Sequence, residues 1–229
     1  MNDNGFLRNN RVFLMGEAET GLTYSHELYG EGFYEFMLRV PRLSGQVDIL
    51  PVTVSERLLE GMTVKPGLKL GLNGQFRSYN KLVDERSKLM LTIFVRDFIP
   101  HDAAEQNPNA AELNGYICKP PIYRTTPFNR EICDVLLAVN RGYNKSDYIP
   151  CIAWGRNARF VRGIAVGQNL LITGRIQSRR YNKKLSDDLL EERTAYELSV
   201  SKVLYDSAAE RESAATLEES AGDILHFDR

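Results

Sequence analysis

The sequence predicts an all-β protein of two tandem five-stranded Greek-key barrels, each with one short helix, followed by an acidic tail. Three observations predict it. Short apolar runs with strand-like alternation, punctuated by glycine and proline, recur along the 229 residues. The set of runs repeats once, at a spacing of 99 to 100 residues. In each copy the single helix-like stretch falls between the third and fourth runs, which is the element order of an OB-fold.

In the first copy, Arg11-Val12-Phe13-Leu14-Met15-Gly16 is the opening strand, closed by glycine. A polar stretch with Gly21, Gly30 and Gly32 separates it from the second strand, Phe33 to Val40. Proline fixes its own φ and glycine permits a positive one, so Pro41 to Gln46 is a turn. Ile49 to Val54 forms the third strand. Ser55 to Met62 is the helix, with Ser55 as N-cap and Glu56 near its positive end. Pro66-Gly67 then turns the chain into Leu68 to Phe76, and Leu89 to Phe98 returns after a charged hairpin tip.

The second copy keeps this register. Phe33 to Leu38 faces Ile132 to Leu137 at a spacing of 99, and Lys65-Pro66-Gly67 faces Ala165-Val166-Gly167 at 100. Gly74, Phe76 and Ser78 face Gly174, Ile176 and Ser178. A repeat this long means two domains, because solenoid units run to about 20–50 residues. The first barrel is therefore assigned to residues 8–100 and the second to 114–206. Residues 101–113, polar and interrupted by Pro108, are a linker, and 207–229 form an acidic tail expected to be disordered.

Charge separates the two copies. The whole chain has a net charge of −1, but residues 1–100 are net 0, 101–113 net −3, 114–206 net +6 and 207–229 net −4. Positive charge collects where a polyanion would have to bind.

The second copy also concentrates rings. In Tyr148-Ile149-Pro150-Cys151-Ile152-Ala153-Trp154, alternation sends Ile149, Cys151 and Ala153 to a core. Tyr148, Pro150, Ile152 and Trp154 take the other face, the two rings about 20 Å apart. Arg175, Gln177, Arg179 and Tyr181 likewise share one parity. A single ring here would be explained by a pleated, half-buried surface. A set of rings flanked by guanidinium groups is what single-stranded nucleic acid requires, since rings stack on bases and cations follow phosphates.

These residues resemble the bacterial single-stranded DNA-binding proteins. Pro121-Ile122-Tyr123-Arg124-Thr125-Thr126-Pro127 is similar to that family's P-x-x-R-x-T-P segment, and Ala138-Val139-Asn140-Arg141 to its A-V-N-R segment. Asp147 to Gly155 is similar to its central strand, and Gly174 to Arg179 to its G-x-[LI]-x-[ST]-R segment. The motifs occur in order over nearly all of 114–206.

The resemblance implies single-stranded DNA as partner, with stacking on Tyr143, Tyr148, Trp154 and Tyr181. Arg141, Lys145, Arg175, Arg179, Arg180, Lys183 and Lys184 are the expected phosphate contacts. It further implies a role in replication, recombination and repair, and a homodimer with four barrels. The tip Asp223 to Arg229 resembles the family's acidic D-D-I-P-F tip, which recruits replication and repair partners. It lacks the proline, and two residues follow Phe227.

The first copy departs from the family. Opposite Tyr143, Tyr148 and Trp154 it has Leu43, Asp48 and Val54, and only Tyr79 answers Tyr181. Each lost ring forfeits roughly 1–3 kcal/mol of stacking, so this barrel is expected to serve mainly as scaffold and assembly unit.

Other classes fit less well. His26, His101 and His226 show no metal-ligand spacing, and no phosphate-cradling G-x-x-x-x-G-K-[ST] loop is present, so no enzyme, metal or cofactor is expected. Cys118, Cys133 and Cys151 have neither zinc nor disulfide spacing and are expected as small core residues of a cytoplasmic protein. No apolar run approaches the ~20 residues of a membrane span, and Met1 to Arg8 is too polar for a signal peptide. A sugar-binding barrel would not need the +6 charge, nor an assembly-only barrel the four rings. The alternatives left are an RNA-binding or primosomal-type OB-fold replication accessory protein.

Overall fold

The computed structural model describes residues 9–83, 85–102, 105, 107–186 and 189–204. The strands are β1 (Asn10–Ala18), β2 (Thr23–Leu28), β3 (Glu31–Pro41), β4 (Val47–Ser55), β5 (Lys69–Val83) and β6 (Arg86–Ile99) in the first half. In the second they are β7 (Asn109–Ile117), β8 (Ile122–Thr125), β9 (Glu131–Arg141), β10 (Lys145–Trp154), β11 (Asn169–Ser186) and β12 (Leu189–Leu204). A 3-10 turn, Glu56–Leu59, follows β4, and a helix α1 (Gly155–Val161) follows β10. Ser55 caps the 3-10 turn by accepting the Arg57 N–H at 3.2 Å.

Each half closes into a barrel. In the first, β1 pairs with β5 and, at its end, with β3; β3 pairs with β4, β4 runs parallel to β6, and β6 returns to β5. The second repeats this with β7, β9, β10, β12 and β11. Closure requires β1 to cross β3 closely, and Gly16 makes room: a Cβ there would lie 2.2 Å from the Arg39 carbonyl oxygen. Gly115 does the same against the Ala138 carbonyl. Alternation fills both interiors with apolar side chains. Leu14, Leu38, Leu50, Leu72, Phe76 and Ile93 fill one, and Leu113, Leu137, Val139, Ile149, Ile176 and Leu198 the other, all fully buried.

Two edge strands, β2 and β8, lie in segments where the sequence predicts no strand. Their side chains are mostly exposed, so no hydrophobic alternation marks them. The expected linker is also shorter. Residues 109–113 belong to β7, with Asn109, Ala111 and Leu113 buried, so only the residues before Asn109 connect the barrels. The expected acidic tail lies outside the described residues.

That strand joins the halves. β1 and β7 pair antiparallel from Asn10 opposite Leu113 to Leu14 opposite Asn109, which merges the barrels into one twelve-stranded sheet. As β1 leaves β5 for β7, the Asn10 side chain takes over the ladder, donating to the Phe76 carbonyl and accepting the Phe76 N–H, both at 2.8 Å. Asn109 repeats this with Ile176 at 2.7 and 2.8 Å.

Pairing also fixes the alignment of the copies. Phe36 sits opposite Val52 and Val135 opposite Cys151, a spacing of 99, which becomes 100 by Ser78 and Ser178. The residues standing where Tyr143, Tyr148 and Trp154 stand are therefore Ser44, Ile49 and Ser55, rather than Leu43, Asp48 and Val54. Tyr79 occupies the place of Arg179, and Lys81 that of Tyr181. None of the four places is aromatic in the first barrel.

Candidate nucleic-acid interface

Parity along β10 is as expected. Ile149, Cys151 and Ala153 are at most 3 % exposed, whereas Tyr148 and Trp154 are 46 % and 37 % exposed on the opposite face. Between those rings Ile152 is covered, and Pro150 is partly open. Trp154 ends the strand in extended geometry and stands at the N-cap of α1, so the helix start fixes its backbone.

Tyr143 projects from the β9–β10 hairpin. The three-residue loop Gly142-Tyr143-Asn144 puts both Tyr143 and Asn144 at positive φ, 61° and 54°, and leaves the Tyr143 ring 99 % exposed. Tyr181 lies on β11 opposite Arg193, 39 % exposed, with the Arg179 guanidinium 5.7 Å from its ring centre.

The outer face continues across neighbouring strands. Ile152 is beside Ser199, which is opposite Arg175, so β10, β12 and β11 present one surface. Pro150 lines the same groove as Arg179 and Tyr181. The β10 face and the β11–β12 hairpin thus meet.

The expected phosphate cations divide into two groups. Lys145 and Lys183 are exposed beside their hairpins, Arg180 is exposed 3.6 Å from Glu192, and Arg179 is half-exposed 3.4 Å from Glu197. Lys184 lies on β11 opposite Leu190. Arg141 and Arg175 are different. Arg141 Nη1 is 3.3 Å from the buried Asp147, and Arg175 is partly buried, donating to Gln177 Oε1 at 3.0 Å. Both belong to the seam between the barrels.

That seam is a reciprocal polar network. Asp48 of the first barrel accepts the Ser178 N–H at 2.7 Å, and Ser178 Oγ accepts the Ile49 N–H at 3.2 Å. Asp147 of the second accepts the Ser78 N–H at 2.9 Å, and Ser78 Oγ accepts the Tyr148 N–H at 2.7 Å. The first barrel therefore holds the backbone of a ring-bearing residue in the second. Arg42 grips Asp48 with two bonds of 2.6 and 2.5 Å, whereas Arg141 reaches Asp147 with one.

Charge balance differs accordingly. Burial pushes Asp147 above the usual carboxylate range despite the Ser78 N–H and the Arg141 and Arg77 charges. Burial, then Arg141, lowers Arg77 to about 10, and burial followed by Arg42 lowers Arg175. Arg77 also lies over the Phe94 ring at 3.9 Å. The sequence held the signal for this seam, because Arg42, Asp48 and Ser78 recur as Arg141, Asp147 and Ser178 in the repeat.

Among the described residues no group of histidine, cysteine and carboxylate could hold a metal ion, and no helix is long and apolar enough to cross a membrane. Cys133 and Cys151 are buried, and burial raises both thiols, Cys133 to about 11.

The model of the single-strand binding protein family matches residues 108–205, the whole of the second barrel. The second barrel belongs to the single-strand binding protein family. Single-stranded DNA-binding protein 1 of Staphylococcus aureus (strain COL) is 35 % identical over 83 residues, which cover 33 % of this chain and 50 % of that protein. The Clostridium tetani single-stranded DNA-binding protein is 34 % identical over 83 residues, 33 % of this chain and 57 % of its own. The match thus spans about half the length of these relatives. The wild-type single-stranded DNA-binding protein of Thermus aquaticus superposes with a TM-score of 0.67 at 18 % identity, over 86 % of this chain and 92 % of that one. At that identity the likeness shows the fold, two tandem OB-folds, for both barrels.

Proposed function

We propose that this chain binds single-stranded DNA with little sequence preference. The observation that carries the reading is the set of four exposed rings, Tyr143, Tyr148, Trp154 and Tyr181, on a barrel of the single-strand binding family. The rings stack on bases, and every base offers a π face, so the binding tolerates any sequence. Lys145, Arg179, Arg180, Lys183 and Lys184 follow the phosphates. Arg141 acts mainly by pairing with Asp147, whose carboxylate accepts the Ser78 N–H across the seam, and Arg175 is partly buried beside Gln177. The first barrel serves as scaffold by fixing the Tyr148 backbone. Such binding needs no cofactor.

The protein's place is then in bacterial DNA replication, recombination and repair, protecting exposed strands in the cytoplasm. Assembly as a homodimer with four barrels belongs to the same proposal, as does partner recruitment by the C-terminal residues.

Trp154 is the one tryptophan, so its fluorescence reports on the site directly. Oligothymidylate is expected to quench it in a salt-sensitive way, with little response to duplex; oligouridylate quenching it more strongly than oligothymidylate would favour the RNA-binding alternative. Replacing Tyr148 with alanine should weaken binding by roughly 1–3 kcal/mol, and replacing Trp154 as well should weaken it further. Binding that persists undiminished in the double variant, followed by mobility shift, would remove these rings from the site.

A further inference from the structure

Arg179 and Tyr181 open into an 870 Å³ groove whose opposite wall belongs to the first barrel. That wall contains Met37, Pro51 and Met90, with Tyr79 and Lys88 beside them. On the second barrel's side Leu136 and Pro150 add apolar surface, and Lys119 adds charge. Pro150 is the residue between Tyr148 and Ile152 on the ring-bearing face, so the groove continues the proposed site toward the other barrel.

Tyr79 is the feature that makes this wall suited to a base. It does not stand where the family places a ring; it takes the position of Arg179 in the other copy, 41 % exposed on β5 opposite Met90. The reciprocal contacts of Ser78 and Ser178 bring Tyr79 and Arg179 to the two sides of the same seam. The carboxylates lining the groove are engaged. Asp134 binds Arg124 at 2.8 Å, Glu197 receives Gln177 at 2.8 Å beside Arg179, and Glu35 accepts Ser25 Oγ at 2.7 Å next to the Tyr79 hydroxyl. Glu35 keeps its charge, but Lys88, Lys119, Arg124, Arg179 and Arg193 outnumber Glu35, Asp134 and Glu197 along the groove, which leaves it favourable to a phosphate chain.

We infer that single-stranded DNA held on the second barrel continues through this groove onto the first, where Tyr79 stacks on a base. The inference rests on the single-strand reading above. It gives the first barrel a direct part in binding and makes the footprint larger than one barrel.

The test uses the full chain and labelled oligothymidylates of graded length, followed by anisotropy. One OB-fold occupies about 4–16 nucleotides, so an oligomer of about 8 is held by the second barrel alone and one of about 30 reaches the first. Tyr79→Ala is expected to weaken the longer oligomer about tenfold and the shorter less than twofold. Tyr79→Phe, which keeps the ring and loses the hydroxyl, should bind both like the parent. Equal affinity of Tyr79→Ala and the parent for the long oligomer would overturn the inference and leave the single-strand reading standing. An equal loss at both lengths in Tyr79→Ala and Tyr79→Phe would also overturn it, by making the effect structural. Failure of the parent protein to bind any length would bring down both readings.

Discussion

Tyr143 sits in the left-handed region at φ 61° with its ring almost wholly in solvent, a costly conformation with no visible packing to offset it. Left-handed geometry costs an L-residue roughly 1–2 kcal/mol, and glycine would adopt it freely. Tyr143→Gly is therefore expected to leave stability within about 1 kcal/mol of the parent, the relieved strain offsetting the added freedom of the unfolded chain. Affinity for oligothymidylate should fall, as for any lost stacking ring. Urea unfolding and anisotropy on the same variant check both halves, and an unchanged affinity would remove Tyr143 from the interface. At this scale the sequence was informative where period-2 alternation holds, as for buried Ile149, Cys151 and Ala153 against exposed Tyr148 and Trp154. It was silent on Ile152, which shares the outer face and is nonetheless 3 % exposed, because that burial depends on what covers the face and not on parity. Arg141 and Arg175 show a similar limit: a guanidinium looks alike in a sequence whether it faces solvent or, like Arg141 beside Asp147, a buried carboxylate.

The strands that carry the two seam carboxylates are matched in place but not in electrostatics. Asp48 is gripped twice by Arg42, a forked geometry that offsets the loss of its hydration. Asp147 has one longer contact, and burial raises its pKa. A raised carboxylate pKa means that the folded state disfavours the charge. Stability from Asp147 is fully present below its unfolded value of about 3.9 and is lost as pH rises through the folded value. Asp147→Asn, which keeps an oxygen for the Ser78 N–H, is thus expected to match or exceed the parent's stability at pH 7, the difference closing below about pH 4. Asp48→Asn should instead cost roughly 3–5 kcal/mol by leaving Arg42 without its carboxylate. Denaturant unfolding of both variants at the two pH values decides it. A large loss in Asp147→Asn at pH 7 would contradict the assigned sign. Elements were legible in proportion to their burial: β1, β3, β4 and β9 were read from apolar alternation, while β2 and β8, exposed along most of their length, gave no such signal. The start of β7 was hidden in a polar, alanine-rich stretch whose alternate residues are buried by pairing with β1.

For the whole molecule, the repeat was the readable fact, because a hundred-residue period survives even where single strands are faint. The way the copies meet was not readable, since β1–β7 pairing and the reciprocal Asp–Ser contacts depend on three-dimensional closure. Charge is likewise a property of the whole: a chain of net −1 can bind a polyanion because its cations are gathered on the second barrel. Not all of that positive charge is expected to meet phosphate, since Arg141 is paired with the buried Asp147 and Arg175 is partly buried beside Gln177. Lys145, Arg179, Arg180, Lys183 and Lys184 are the remaining expected contacts, and each phosphate neutralised on a single strand contributes about −0.7 to the slope of log affinity against log salt. For an oligomer short enough to stay on the second barrel the expected slope is then roughly −3.5, where all seven cations would give about −5. Lys183→Gln should reduce the slope by about 0.7, while Arg175→Gln should leave it nearly unchanged and lower stability instead. Anisotropy titrations at about four salt concentrations measure both. A reduction of the slope in Arg175→Gln equal to that in Lys183→Gln would return Arg175 to the phosphate path, and a slope near zero in the parent protein would mean that the rings bind something other than a nucleic-acid strand.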